Sequence, residues 1–236
     1  MEILPPSLAS SCLRVGAGSL KEQSSYYSAK VSRGQGFILL YHSVMAGKLT
    51  LIMGPSGVGK SVILQQLRER HPEIHFPRSA TTRARRSGEG DDLYHFLSNA
   101  AFDELIAQKK LLEWAIVHGG ARYGTMIDEI IPFIEDGKTV IREVDVQGFD
   151  SIRSHALFSG NAPHYLLQSV FILPENKEQL IAHITNRAPI AADELKHRIA
   201  SMERELTYAE LADVKIRNVE GKLEETLSEV ERNLYA

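Results

Sequence analysis

Three glycines, a lysine and two serines stand together in Gly54-Pro55-Ser56-Gly57-Val58-Gly59-Lys60-Ser61, the spacing G-x-x-x-x-G-K-[ST]. Glycines permit positive φ and turn successive backbone N–H groups into one concave nest, which suits a polyphosphate. Lys60 would reach the terminal phosphates, and the Ser61 hydroxyl would hold Mg²⁺. The flanks fit this chemistry. Leu49 to Met53 is an apolar run, and Val62, Ile63 and Leu67 recur afterwards at helical spacing, so the order is strand, loop, helix. The helix dipole then adds its positive end to the nest.

A second cationic group follows. Arg78, Arg83, Arg85 and Arg86 fall between Glu73 and Glu89 with no acid among them. Alone they would be a solvated face. Beside a phosphate loop they suit a second anion, because the guanidinium fork matches phosphate oxygens. Glu143 and Asp145 alternate with apolar residues at the end of TVIREVDV, so both would face one side if the strand stays regular. In NRAPIAADELKHRIASMEREL, Asp193 can cap a helix whose Leu195, Ile199, Met202 and Leu206 form an apolar stripe with Arg198 on its flank.

These residues must be positioned by a sheet. LTLIM, TVIREVDV, YLLQSVFIL and DVKIRNV read as strands, separated by helix-length segments such as TMIDEIIPFIED, which ends at Gly137. That alternation predicts an α/β fold with a parallel sheet. The polar, arginine- and tyrosine-rich stretch from Arg78 to Thr125, with its own helix around Phe102 to Lys110, reads as an insert.

The chain has 236 residues, 43% of them hydrophobic, and a net charge of −3. It can bury a large core, and it is not a broadly basic nucleic-acid binder. No apolar segment approaches the roughly 18 residues of a membrane span. Cys12 is the single cysteine, so an internal disulfide or a Cys-based metal site is excluded, and a reducing compartment is compatible. Residues 1–44 carry nine serines, four Lys or Arg and two acids, Glu2 and Glu22. They read as a disordered or artefactual extension ahead of Met45, with a targeting leader as the alternative.

Six motifs in order resemble guanylate kinase: Gly54 to Ser61, Ser79 to Arg86, Tyr94-His95-Phe96, Leu112-Glu113-Trp114-Ala115, Tyr123-Gly124-Thr125 and Glu143-Val144-Asp145-Val146-Gln147-Gly148. The resemblance runs from about Gly47 to the C-terminus. It implies a P-loop NTPase three-layer fold with a parallel sheet core, an inserted GMP-binding subdomain and a helical lid. The core would comprise 45–77, 127–182 and 207–236, with the insert at 78–126 and the lid at 183–206. It implies transfer of the γ-phosphoryl group of ATP to GMP, and to dGMP, with Mg²⁺, by a cytoplasmic monomer or homodimer that needs neither nucleic acid nor membrane. ATP would be bound by Gly54, Pro55, Ser56, Gly57, Val58, Gly59, Lys60, Ser61 and Asn218. The acceptor phosphate would meet Arg83, Arg86, Tyr94 and Tyr123, and the base Ser79, Glu113, Thr125 and Glu143. Arg187 and Arg198 would clamp the transferring group, with Ser61 and Asp145 toward Mg²⁺. The chemistry of guanine agrees with Glu113: adjacent ring N–H and amino donors face an acceptor-only carboxylate.

The sequence departs from the family pattern in places. The stretch from Glu89 to Tyr94 is one residue shorter, and that from His118 to Tyr123 one longer. His183 stands where the family commonly has arginine, Ala188-Pro189 replaces a glycine, and Arg85 replaces a common proline. Two rivals are a kinase for a sugar phosphate such as ribose 1,5-bisphosphate and a guanylate-kinase-like module that binds a phosphopeptide without catalysis. Glu113, Thr125 and Glu143 argue against the first, the intact Lys60 and Ser61 against the second.

Overall fold

The computed structural model describes residues 47–117, 119–187 and 191–235, without the side chains of Arg187 and Ala192. The expected extension at 1–44 lies outside these residues.

Strand β1 (Lys48–Met53) leads through the glycine loop into helix α1 (Lys60–Arg70). Strands β2 (Ser79–Thr81) and β3 (Tyr94–Phe96), helix α2 (Asn99–Ala107), and strands β4 (Leu111–Ile116) and β5 (Arg122–Met126) follow. Then come α3 (Ile131–Glu135), β6 (Thr139–Glu143), α4 (Val146–Ser154), β7 (Leu166–Pro174), α5 (Lys177–Arg187), α6 (Ala192–Thr207), β8 (Val214–Asn218) and α7 (Leu223–Leu234).

Two sheets result. The core sheet runs β6-β1-β7-β8, all parallel, as the alternation of elements requires, and its central strand β1 is fully buried from Leu49 to Met53. Apolar clusters cover both faces. Ile52, Ile63, Leu67, Ile141, Ile216 and Val230 pack on one, and Leu51, Ile134, Val140, Phe149 and Phe171 on the other. The second sheet, β3-β2-β5-β4, is the insert, closed over its own small cluster of Ala80, Phe102 and Leu111.

Several expected boundaries shift for local reasons. TMIDEIIPFIED is not one helix. Thr125 and Met126 finish β5, Ile127–Glu129 is a 3₁₀ turn, and α3 starts only where Pro132 fits its first turn. The insert helix begins at Asn99 rather than Phe102, because the Ser98 hydroxyl caps it by accepting from Ala101 N. It ends at Ala107, beyond which Lys109 takes φ 54°. Asp193 does not cap α6; Ala191 occupies that position, and Asp193 sits in the first turn, where its charge faces the helix dipole. β6 stops at Glu143, so the strand does not stay regular through Asp145. Asp145 caps α4 instead, Oδ1 accepting from Gly148 N at 2.7 Å.

The C-terminal helix is tethered beneath α1 by a titratable group. His71 Nδ1 lies 3.0 Å from Glu73 Oε1, Nε2 lies 3.2 Å from Glu231 Oε1, and the Tyr235 hydroxyl donates to Glu73 at 2.5 Å. Burial opposes the imidazolium, but the hydrogen bonds to Glu231 and Glu73 and their charges outweigh it, so the pKa of His71 is raised. A raised folded pKa contributes stability that is complete below the ordinary imidazole value and lost as pH rises through the raised one. The melting-temperature gap between the chain and His71→Gln should therefore narrow as pH rises through and above the ordinary imidazole range. Calorimetry across that range checks it, and a gap independent of pH would assign the tether to packing alone.

Candidate active site

The glycine loop is built where β1 delivers it. Gly54 has φ 146°, and a Cβ there would stand 2.5 Å from the Ile172 carbonyl oxygen; Gly59 has φ 99°, and its Cβ would meet Asn218 Nδ2 at 2.6 Å. Neither position admits a side chain. Asn218 fixes the loop by donating to Val58 O at 2.8 Å, and accepts in turn from the Thr226 hydroxyl. His183 Nδ1 lies 2.9 Å from Gly57 O, so the residue that stands in for an arginine touches the loop backbone.

Lys60 is only 12% exposed. Its ammonium donates to Gly54 O at 2.7 Å and Pro55 O at 3.2 Å, and stands 3.6 Å from Glu143 Oε1. Burial lowers its pKa, while the charges of Glu143 and Glu205 act in the opposite direction. A cavity of about 440 Å³ spans Ser56 to Val62, Glu143, His183, Asn186 and Asn218. A second, of about 590 Å³, lies between α1 and the insert and takes in Ser61, Arg68, Ser79, Tyr94, Arg142 and Glu143. Ser61 and Glu143 line both. Asp145 borders a smaller recess with Gly54, Ser56, Lys60 and Glu143.

The insert aligns the other expected residues. Strand register pairs Tyr94 with Ser79, Ser79 with Thr125 and Thr125 with Glu113, one row across all four strands. Residues paired in register share a face. The next row on that face carries Phe96, Thr81, Tyr123 and Ala115. The Thr125 hydroxyl donates to Glu113 Oε1. Burial pushes the Glu113 carboxyl up, the Thr125 hydrogen bond and the Arg142 charge pull against it, and Asp145 adds to the rise; the net direction is upward.

Arg83 joins the same surface. Its Nε donates to the Tyr123 hydroxyl at 3.0 Å, and its guanidinium carbon lies 5.2 Å from the Tyr94 ring centroid. The fork is also held by Glu89, at 2.9 and 2.6 Å. Hydrogen bonds from Arg83 and the Arg86 backbone bring the Glu89 carboxyl down to about 2. An acceptor phosphate at Arg83 would have to share that fork with Glu89. The Arg86 side chain is exposed.

Of the two expected lid arginines, Arg198 is not brought to the loop. Arg198 is 46% exposed and donates to Glu194 at 2.7 Å, one turn away on α6. The side chain of Arg187 lies outside the described residues. Met202 is buried, with Ile199 and Leu206 packed against the core, so the stripe is an anchoring face.

Two cations of the 590 Å³ cavity were missed from sequence, Arg68 and Arg142. The signal for Arg142 was present: a charge interrupting the buried strand VIREV. Arg68 had none, since arginines on helices are commonplace.

A parallel α/β core with a glycine loop at the end of β1 and an inserted sheet is a P-loop NTPase fold of the nucleotide-kinase type. The guanylate kinase family model matches residues 46–236. A guanylate kinase of Gloeobacter violaceus is 39% identical over 189 residues, covering 80% of this chain and 87% of that protein. One of Thermosynechococcus vestitus is 37% identical over 192 residues, 80% and 94%. The crystal structure of guanylate kinase from Anaplasma phagocytophilum superposes with a TM-score of 0.58 at 24% identity, covering 81% and 86%, and so supports the fold. The chain belongs to the guanylate kinase family and is a nucleotide-binding transferase. Among the described residues, no helix is long and apolar enough to cross a membrane.

Proposed function

We propose that this chain transfers the γ-phosphoryl group of ATP to GMP, and to dGMP, giving ADP and GDP, as a cytoplasmic enzyme of purine nucleotide metabolism. The observation that carries this reading is the meeting of two cavities at Ser61 and Glu143, one lined by the glycine loop and the other lying between α1, β6 and the insert residues Ser79 and Tyr94. A donor phosphate on the loop and an acceptor phosphate near Arg83 would approach each other there. The row Ser79, Thr125, Glu113 supports a purine with adjacent donors, and relatives over most of their length carry the name guanylate kinase.

No general base is required. A phosphate monoester is mostly dianionic at neutral pH and is its own nucleophile. The protein's part is alignment and charge neutralisation by Lys60, Arg83 and Arg86, joined on closure by Arg187 and Arg198. Closure would break the exposed Arg198–Glu194 pair, which costs about 0.3–0.5 kcal/mol.

Mg²⁺ fits the donors. Ser61, the second residue of α1, is exposed, and Glu143 and Asp145 border the loop. Among the described residues no three His, Cys, Asp or Glu gather around one point. That suits an ion held chiefly by substrate phosphates and water. When bound, it would neutralise phosphate oxygens; Ser61 would hold it directly and Asp145 through water.

A coupled assay of ADP release tests the reading with GMP, dGMP, AMP, CMP, UMP and ribose 1,5-bisphosphate in parallel. GMP and dGMP should dominate. Preference for the bisphosphate would replace the substrate, and ATP binding without turnover on any acceptor would overturn the kinase.

A further inference from the structure

Among the described residues, Arg142 is the least accounted-for charge. It lies on edge strand β6 with its side chain only 15% exposed. Its Nε is buried and has no hydrogen-bond partner among the described residues. Nη2 stands 4.0 Å from Glu113 Oε1, beyond hydrogen-bonding distance. A buried donor without an acceptor is costly, and its retention calls for a reason. Arg142 also lines the 590 Å³ acceptor cavity, with Ser79, Tyr94 and Glu143 around it.

We propose that Arg142 is a base-reading residue of the acceptor site, a donor to the 6-oxo and N7 edge of guanine. This rests on the GMP reading above. Glu113 is an acceptor and Arg142, its neighbour, is donor-only. Side by side they match a base edge on which ring N–H and amino donors adjoin an oxo acceptor, the order found in guanine. Adenine reverses both positions, offering a ring-nitrogen acceptor and an amino donor. The arginine fork is the side chain best matched to guanine O6 and N7. Arg142 therefore supplies the half of the discrimination that Glu113 cannot. Burial lowers the pKa of Arg142, the charges of Glu113 and Glu143 pull against that, and Arg68 adds to the lowering.

The test uses the full chain and two variants, Arg142→Met and Arg142→Lys, with GMP and 6-thioguanosine monophosphate as acceptors. Sulfur at position 6 is a weak acceptor and leaves the Glu113 edge unchanged in kind. Wild type should prefer GMP over the thio analogue by about tenfold or more. Arg142→Met should raise KM for GMP about ten- to a hundredfold, with kcat and the KM for ATP changed less than about threefold, and should lose the preference. Arg142→Lys, which keeps a donor and the charge, should recover part of it. A GMP preference that survives intact in either folded variant overturns the proposal, and so does a wild type indifferent to the thio substitution. A wild type inactive on GMP would instead defeat the GMP reading. If Arg142→Met does not fold, the preference in Arg142→Lys decides.

Discussion

Lys60→Met is expected to lower kcat by about 10²–10³-fold or more, the range for removing a preorganised charge donor from a transition state. The side chain is held at 12% exposure between the Gly54 and Pro55 carbonyls and Glu143, so its ammonium is aimed before substrate arrives. Methionine preserves most of the stem and removes the charge. The fold should survive, because the loop is also held by Asn218 at Val58 O and by the backbone demands of Gly54 and Gly59. Single-turnover kinetics with saturating ATP and GMP, beside a melting curve, would measure both effects. Near wild-type turnover in the variant would exclude the mechanism proposed above.

Glu113→Gln should cut kcat/KM for GMP by roughly ten- to more than a hundredfold. Hydrogen bonds to a charged group contribute about 1.5–3 kcal/mol, and the amide places a donor against one of guanine's donors. The remaining amide oxygen can still accept from Thr125, so the row across the insert should stay aligned. KM for ATP should change little. Discrimination against AMP should shrink, since glutamine can donate to adenine's ring nitrogen and accept from its amino group. Acidification adds a second readout. Burial raises the Glu113 pKa, so wild-type KM for GMP should begin to rise at a higher pH than an ordinary glutamate would dictate, and the glutamine variant should lack that rise. Equal losses on GMP and AMP would point to a structural part for Glu113.

The sequence by itself determined the phosphate loop and the class of fold. A loop of fixed glycine spacing works through backbone N–H groups contributed by consecutive residues, so its chemistry is local and legible as a string. The parallel core was legible too, because buried strands between amphipathic helices leave two periods in the chain. The insert residues came from family resemblance, since nothing local joins Ser79 to Glu113. Only the tertiary structure decided that Tyr94, Ser79, Thr125 and Glu113 stand in one row, because register between β2, β3, β4 and β5 is set by long-range pairing and a bulge between Leu111 and Glu113. It also decided that Asp145 turns into a helix cap and that Arg198 pairs along its own helix. Both depend on where an element ends or what lies one turn away. Arg142 shows the division most clearly. Its charge in an apolar strand was visible in the sequence, but its meaning comes from Glu113, twenty-nine positions earlier, brought to 4.0 Å by the packing of the insert against the edge of the core.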